Sequence, residues 1–169
     1  MTFDKDADII DIRFDQAFKA VFTKDTPHSR GALKGLLSSL IRREISSLTI
    51  TANEPPAGSP GDRQIRFDLT CAFDGGELAN IEMTLYPHAF EVLRIEFYLN
   101  RLFVTQQIHG NGKSYRDLKL TYQISIVNRN LFDDDALVHR FEYYDVEHGL
   151  RLGGKTRIIT VELGKAGRT

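Results

Sequence analysis

Two consecutive segments of alternating apolar and polar residues constrain the fold of this chain more than any other feature. Over residues 65–73 every odd position is apolar, and over 79–85 the odd positions are apolar again. A period of two is typical of a β-strand that buries one face. The intervening segment 74–76, Asp-Gly-Gly, consists of turn-forming residues. The sequence therefore predicts an antiparallel β-hairpin.

The faces of the two predicted strands restrict their register. A two-residue turn at Gly75 and Gly76 would set Asp68 opposite Met83, so that a polar face would meet an apolar one. A three-residue loop over 74–76, with glycine in the left-handed position, avoids this conflict. It pairs Phe73 with Glu77, Thr70 with Asn80, Asp68 with Glu82, and Arg66 with Thr84. We therefore expect two carboxylates to face each other on one side of the hairpin.

The carboxylates of Asp68 and Glu82 need a nearby positive charge, because like charges directly opposite each other in a sheet are destabilising. A divalent metal ion is one solution, since hard cations such as Mg²⁺ take carboxylate oxygens and water as ligands. An arginine is the other, and Arg66 is predicted to lie on the same face. From the hairpin alone, a metal site and a purely structural ion network both remain open.

The rest of the chain is predicted to add three helices and four strands within one domain, since 169 residues suit a single core. Thr26 and Pro27 fit the N-cap and first position of the second helix. The third helix, rich in Phe, Leu and Tyr, is expected to be buried over much of its circumference. The predicted helices cover 14–22, 27–45 and 88–109, and the predicted strands cover 47–52, 122–127, 141–146 and 157–163.

The composition excludes several classes of protein. With 22 Lys and Arg against 23 Asp and Glu, the net charge is -1 and no overall basic field marks a nucleic-acid binder. A single cysteine, Cys71, excludes an internal disulfide framework, and the five scattered histidines lack the spacing of a zinc site. The chain has neither a signal-peptide pattern nor an apolar run long enough to span a membrane. We therefore expect a cytoplasmic protein that is not inserted in a membrane.

The second predicted helix carries a local excess of positive charge. Between His28 and Arg43 no acidic residue accompanies its four basic ones, Arg30, Lys34, Arg42 and Arg43. Such a cluster is a candidate phosphate-binding surface. The alternative is a solvated helix face whose countercharges lie elsewhere in space, and the sequence leaves both interpretations open.

A series of residues in a particular order carries a resemblance to a known family. They are Asp15, Phe18, Lys19, Phe22, Leu36-Leu37, Asp68, Asn80-Ile81-Glu82-Met83, Arg94, Tyr98, Gln106, Gly110, Tyr115, Ile124, Ile126 and Val161-Glu162-Leu163-Gly164-Lys165. In this order they resemble the PD-(D/E)xK nuclease superfamily, and more closely the transposase-derived Rpn family of recombination-promoting nucleases. The resemblance implies one nuclease-like domain over residues 1–169. Its expected fold is α/β (α+β), a restriction-endonuclease-like mixed β-sheet flanked by helices.

The resemblance also implies a function, that of a metal-dependent DNA endonuclease that hydrolyses phosphodiester bonds and promotes recombination. Asp68 and Glu82 would hold Mg²⁺, or Mn²⁺ as another ion that suits oxygen ligands, together with the backbone carbonyl of Met83 and with Asp15 as a further acid. The metal would lower the pKa of a bound water and offset charge on the phosphate. Arg94 and Tyr98 would face the site or a DNA phosphate. DNA is the expected partner, and a homodimer is left open.

One position departs from the pattern, because Thr84 stands where members of the superfamily usually carry lysine and the Rpn family often carries glutamine. Threonine donates a hydrogen bond but supplies no charge. Lys19, which matches a lysine of the family, and Arg66, from the predicted register, are the candidate replacements.

Two further functions therefore remain open: a catalytically degenerate relative that binds DNA without cutting it, and a non-enzymatic dimerisation or interaction domain. The family commonly extends beyond its Glu-Leu-x-Lys segment, so the chain is expected to be either truncated at its C-terminus or naturally short.

Overall fold

A six-stranded β-sheet organises the protein. The computed structural model describes residues 15–24, 26–51, 66–106, 108 and 112–166. Its helices are α1 (Asp15–Phe22), α2 (Pro27–Ile41) and α3 (Glu91–Phe103), and its strands are β1 (Leu48–Thr51), β2 (Leu69–Phe73), β3 (Glu77–Thr84), β4 (Thr121–Val127), β5 (Val138–Phe141), β6 (Tyr144–Asp145), β7 (Leu150–Arg151) and β8 (Thr156–Glu162). Short 3-10 helices cover Tyr115–Asp117 and Leu163–Lys165. The main sheet has the order β1-β2-β3-β4-β8-β5, while β6 and β7 pair separately.

The sheet is mixed, as predicted. Strand β2 pairs antiparallel with both β1 and β3, β4 is parallel to β3, β8 is parallel to β4, and β5 closes the edge antiparallel to β8. The helices α1 and α2 cover one face, where Phe18 and Leu37 pack in the same core as Ile81 and Ile124. The helix α3 covers the other face, where Leu102 is buried. This arrangement confirms the expected mixed sheet flanked by helices.

The hairpin has the predicted register. Phe73 pairs with Glu77 and Thr70 with Asn80, around a loop of three residues. The backbone of Asp74 has a positive φ of 37°, and Gly75 and Gly76 follow with 78° and 100°, a region that favours glycine. The side chain of Asp74 accepts hydrogen bonds from two backbone N–H groups after α2, which stabilises the only non-glycine residue in the loop.

Strand β2 begins later than predicted, at Leu69 instead of residue 65, which lies outside the described residues. The reason is visible at Asp68, whose backbone N–H donates to the side chain of Glu82. Its own carboxylate accepts the backbone N–H of Met83. Side chains thus replace the ladder of backbone hydrogen bonds at this end of the hairpin.

Two predicted helices are too long. Helix α2 ends at Ile41 and not at residue 45, because Arg42 adopts a left-handed conformation with φ of 60° and closes the helix on Ser38. Helix α3 covers Glu91–Phe103 instead of 88–109, and residue 109 lies outside the described residues. The predicted burial of α3 was wrong as well. Its buried apolar residues form one stripe, while several large side chains on other faces are more than half exposed: Val92, Leu93 and Phe97.

The strand predicted over 141–146 was also wrong. Strand β5 ends at Phe141, and the chain then enters the small β6–β7 hairpin. The predicted strand at 157–163 is β8, which ends at Glu162 because a 3-10 turn follows it. None of the helices in the described part of the chain is long and apolar enough to cross a membrane.

Candidate active site

One cleft of about 1110 Å³ gathers most of the residues that the sequence analysis assigned to a metal site. It lies at the carboxyl end of β3, beside the start of β2 and next to α3. Such carboxyl ends are where open α/β sheets commonly bind ligands. The polar residues along it are Arg66, Asp68, Glu82, Thr84, His88, Arg94 and Tyr98, and the large apolar ones include Tyr86, Phe90, Leu93 and Phe97.

Asp68 and Glu82 are held together through the backbone. The N–H of Asp68 donates to Oε1 of Glu82 at 3.0 Å, and the N–H of Met83 donates to Oδ2 of Asp68 at 3.2 Å. Each acid therefore binds the strand that carries the other. The side chain of Glu82 is buried, with 5% of its surface exposed, while that of Asp68 retains 19%.

This environment shifts the ionisation of Glu82. Burial and, after it, the negative charge of Asp68 raise the pKa of Glu82 to about 7, although hydrogen bonds from Asp68 and Asn80 and the charge of Arg94 act in the opposite direction. Near neutral pH the carboxyl group is therefore divided between its protonated and ionised forms. A cation that bound between the two acids would favour the ionised form.

The buried carboxylate of Glu82 is fixed by a row of polar side chains on the α3 face of the sheet. Asn80 donates to Oε1 of Glu82 at 3.1 Å and to Oε1 of Gln123 at 2.8 Å, and Gln123 donates to Ser125 at 3.1 Å. All four side chains are buried. These hydrogen bonds fix Oε1 of Glu82 on the sheet. Its other oxygen, Oε2, lies in the cleft next to Arg94.

Lys19 reaches the site from α1. Its Nζ lies 3.1 Å from Oδ1 of Asp68, and 34% of its side-chain surface is exposed. Asp15 begins the same helix, but its side chain lies outside the described residues. The structure thus brings Lys19 next to the acid pair, while the prediction for Asp15 stays open.

Arg94 approaches the other acid from α3. Its Nη1 lies 3.4 Å from Oε2 of Glu82, and its Nη2 lies 2.6 Å from both Oγ1 of Thr84 and Oε1 of Glu91. Its guanidinium also lies over the ring of Tyr98, 5.1 Å from the centroid. Burial alone would lower the pKa of Arg94, but the hydrogen bonds and charge of Glu91 outweigh it and raise the pKa. The guanidinium is therefore a permanent positive charge in the cleft.

The donor atoms at this site fit a hard divalent cation. In an extended strand the N–H and C=O of one residue point to the same side, so the carbonyl of Met83 faces the side where its N–H meets Asp68. Two carboxylates and a carbonyl, completed by water, are the oxygen ligands that Mg²⁺ accepts. Among the described side chains, no group of three or more His, Cys, Asp and Glu is arranged to hold a metal ion.

The basic residues of α2 are not brought to this cleft. Arg43 forms two hydrogen bonds of 3.0 Å with Glu77 and lies 3.5 Å from Asp74, and Lys34 donates to the carbonyl of Ser46. These contacts lie at the turn of the hairpin, five residues along β3 from Glu82 and hence roughly 17 Å away. For Arg43 the countercharges do lie elsewhere in space, as the alternative interpretation required. Arg30 and Arg42 belong to the same helix and its cap.

Three residues of the site were missed by sequence reasoning. Glu91, Gln123 and Ser125 carried no prediction, although each is buried and contacts a residue of the cleft or its supporting row. A signal for Glu91 was its position three residues before Arg94 on a helix, the spacing of an ion pair. The signal for Gln123 and Ser125 was that these polar residues stand two positions apart between apolar residues of one strand, so that they share a face of the sheet.

One of three comparisons with known proteins identified a family for this chain. The sequence model of a family described as PD-(D/E)XK nuclease family transposase matches residues 12–169, a range that includes every residue of the cleft. Comparisons with curated proteins and with solved structures gave no match.

Proposed function

The chain belongs to the PD-(D/E)XK nuclease family transposases, and from this premise we propose that it hydrolyses phosphodiester bonds of DNA with the help of a divalent metal ion. The observation that carries the proposal is the contact between Asp68 and Glu82 at the cleft. Lys19 and Arg94 each lie beside one of the two acids, and a divalent cation bound by both carboxylates would offset the repulsion between them. The proposal includes a role in DNA recombination, which the description of the family as transposases supports, and a cytoplasmic location, as the sequence predicts.

In this proposal Asp68, Glu82 and the carbonyl of Met83 hold the metal. Mg²⁺ is the proposed ion, and Mn²⁺ suits the same oxygen ligands. The ion would supply an activated water and would offset negative charge on the scissile phosphate. Asn80 keeps the carboxylate of Glu82 in its orientation from below the sheet. Lys19, next to Asp68, adds positive charge at the edge of the cleft where a DNA phosphate would approach.

A plasmid-nicking assay tests the proposal. Supercoiled DNA is incubated with the purified protein in Mg²⁺, in Mn²⁺ or in chelator, and the nicked and linear products are separated on a gel. Asp68→Asn and Glu82→Gln each replace a charged metal ligand with a neutral amide of nearly the same size. Glu147→Gln removes an exposed carboxylate in the β6–β7 turn and is the matched control.

The expected result is metal-dependent cutting that both site variants lose by at least about a hundredfold and that Glu147→Gln retains. Absence of cutting by a wild-type protein with a cooperative thermal unfolding transition would overturn the proposal. In that case, DNA retention that falls with salt would identify a degenerate DNA-binding relative. Self-association without DNA retention would identify an interaction domain.

A further inference from the structure

We propose that Arg94 is the catalytic cation of this site, and that its guanidinium contacts the scissile phosphate in the place of the lysine that the family name puts two residues after the acid. In this chain that position is Thr84, in the segment Glu82-Met83-Thr84. The inference rests on the proposed function and assigns the positive charge that Thr84 does not supply.

The position of the guanidinium carries the inference. Glu82 and Thr84 are two residues apart on β3, so their side chains project from the same face of the sheet. Arg94 contacts both of them, through Nη2 to Oγ1 of Thr84 at 2.6 Å and through Nη1 to Oε2 of Glu82 at 3.4 Å. Its charge therefore lies directly above position 84, where the end of a longer basic side chain would otherwise be.

The guanidinium is held in a fixed orientation. Glu91, of which 1% of the side-chain surface is exposed, accepts hydrogen bonds from Nε at 3.1 Å and from Nη2 at 2.6 Å. The ring of Tyr98 lies beside it on the same helix. Charge stabilisation in catalysis depends on donors that are oriented before the reaction, and these contacts provide that orientation.

Arg94 remains accessible to a substrate. Its side chain keeps 28% of its surface exposed and lines the cleft together with Asp68 and Glu82. Its contact with Glu82 is the longest of its hydrogen bonds, so Nη1 is the nitrogen most easily shared with a phosphate oxygen. The planar guanidinium suits phosphate because it offers several donors in a fixed geometry. Lys19, by comparison, contacts Asp68, the other acid of the pair.

The test must separate catalysis from folding, because removal of Arg94 alone would leave the buried carboxylate of Glu91 unpaired. The double variant Glu91→Gln/Arg94→Gln removes both charges, and Glu91→Gln alone is its reference. A triple variant adds Thr84→Lys, which returns a cation from the strand. Arg116→Gln, an exposed arginine of the first 3-10 helix, is the charge-matched control. Nicking rate, Mg²⁺ affinity by calorimetry and melting temperature are measured for each protein.

We expect the double variant to cut DNA about a hundredfold more slowly than Glu91→Gln, while its Mg²⁺ affinity stays within about threefold. The triple variant should cut at least about tenfold faster than the double variant, and Arg116→Gln should cut at the wild-type rate. A double variant that cuts within about threefold of Glu91→Gln would overturn the role of Arg94 and leave the proposed nuclease function intact. If the triple variant cuts DNA and the wild-type protein does not, Arg94 does not supply the catalytic charge and this proposal is overturned. Absence of cutting by every protein would overturn both proposals.

Discussion

The backbone N–H of Asp68 donates a hydrogen bond of 3.0 Å to the carboxylate of Glu82, so the first acid of the pair holds the second by its main chain. This bond takes the place of a β-ladder bond at the start of β2 and keeps the acids together in the absence of any ion. Because the fold fixes the distance between the two acids, the folded protein retains the electrostatic repulsion between them even without a metal ion. That repulsion has measurable consequences.

The stability of the metal-free protein should fall as pH rises. The folded-state pKa of Glu82 is raised from an ordinary 4.5 to about 7, so the folded protein binds a proton more tightly than the unfolded chain. The associated stability is fully present below pH 4.5 and is lost as pH rises towards 7. The loss is on the order of 3 kcal/mol. Glu82→Gln should remove this pH dependence, as measured by urea unfolding in chelator between pH 4.5 and pH 8.

The control for this measurement is Glu147→Gln, whose exposed carboxylate should leave the wild-type pH profile unchanged. The prediction fails if the wild type and Glu82→Gln show parallel profiles over the whole range. Parallel profiles would mean that Arg94 and the hydrogen bonds to Glu82 fully offset its burial.

Divalent ions should stabilise the protein more at high pH than at low pH. A metal ion binds the ionised acids, so below the pKa of Glu82 it must displace a proton, whereas above that pKa it relieves repulsion between charges already present. Thermal unfolding with saturating Mg²⁺ or Ca²⁺ should therefore show a larger increase in melting temperature at pH 8 than at pH 5.5. Asp68→Asn should abolish most of the increase. An equal increase in this variant would show that the ions bind elsewhere.

The register of the hairpin was predictable from sequence because it depends on a local rule. Side chains alternate along a strand, so the faces of two adjacent segments and the length of their loop determine which residues meet. The pairs Phe73–Glu77 and Thr70–Asn80 follow this rule, whereas Asp68 precedes β2 and meets Glu82 through its backbone N–H. The same local rule overestimates the length of β2, because it does not take into account that side chains replace the backbone ladder at Asp68.

The cluster of Arg94, Glu91 and Thr84 could not be predicted in the same way. It forms where α3 crosses β3, and no sequence period specifies which turn of a helix meets which residue of a strand. The sequence predicts Lys19 or Arg66 as the replacement for the missing lysine because it does not contain this tertiary contact. Lys19 does lie beside Asp68, but Thr84 is contacted by Arg94. The ends of α2 and α3 were misjudged because caps such as Arg42 depend on backbone conformation more than on residue type.

Basic residues of α2 should differ in their effect on DNA binding. Arg42 is exposed at the cap of α2, whereas the charge of Arg43 is already matched by Glu77 and Asp74. If α2 faces DNA, Arg42→Gln should weaken binding of a short duplex and reduce the slope of log affinity against log salt by about 1. Arg43→Gln should change that slope less. Fluorescence anisotropy at several salt concentrations measures both, and identical slopes for wild type and Arg42→Gln would exclude α2 from the interface.

A second cluster of charges lies at the end of β8. Lys165, which is buried, lies 2.7 Å from Asp134 and 2.9 Å from Glu162, while the two ring nitrogens of His139 lie 2.8 Å from Asp134 and from Glu162. The two acids and two bases form a closed ring that fixes the loop after β4 against the C-terminal 3-10 turn. The hydrogen bond from Lys165, and then that from His139, lowers the pKa of Asp134 to about 2.

Because the folded-state pKa of Asp134 is lowered, its stabilising contribution is fully present above its ordinary value of 3.8 and is lost as pH falls towards 2. Asp134→Asn should therefore melt at a lower temperature than the wild type at pH 6, and the difference should shrink to nothing near pH 2. Asp135→Asn, which changes the neighbouring exposed acid, is the control and should melt like the wild type at pH 6. A difference between Asp134→Asn and wild type that persists unchanged at pH 2 would show that the ring acts through packing and not through charge.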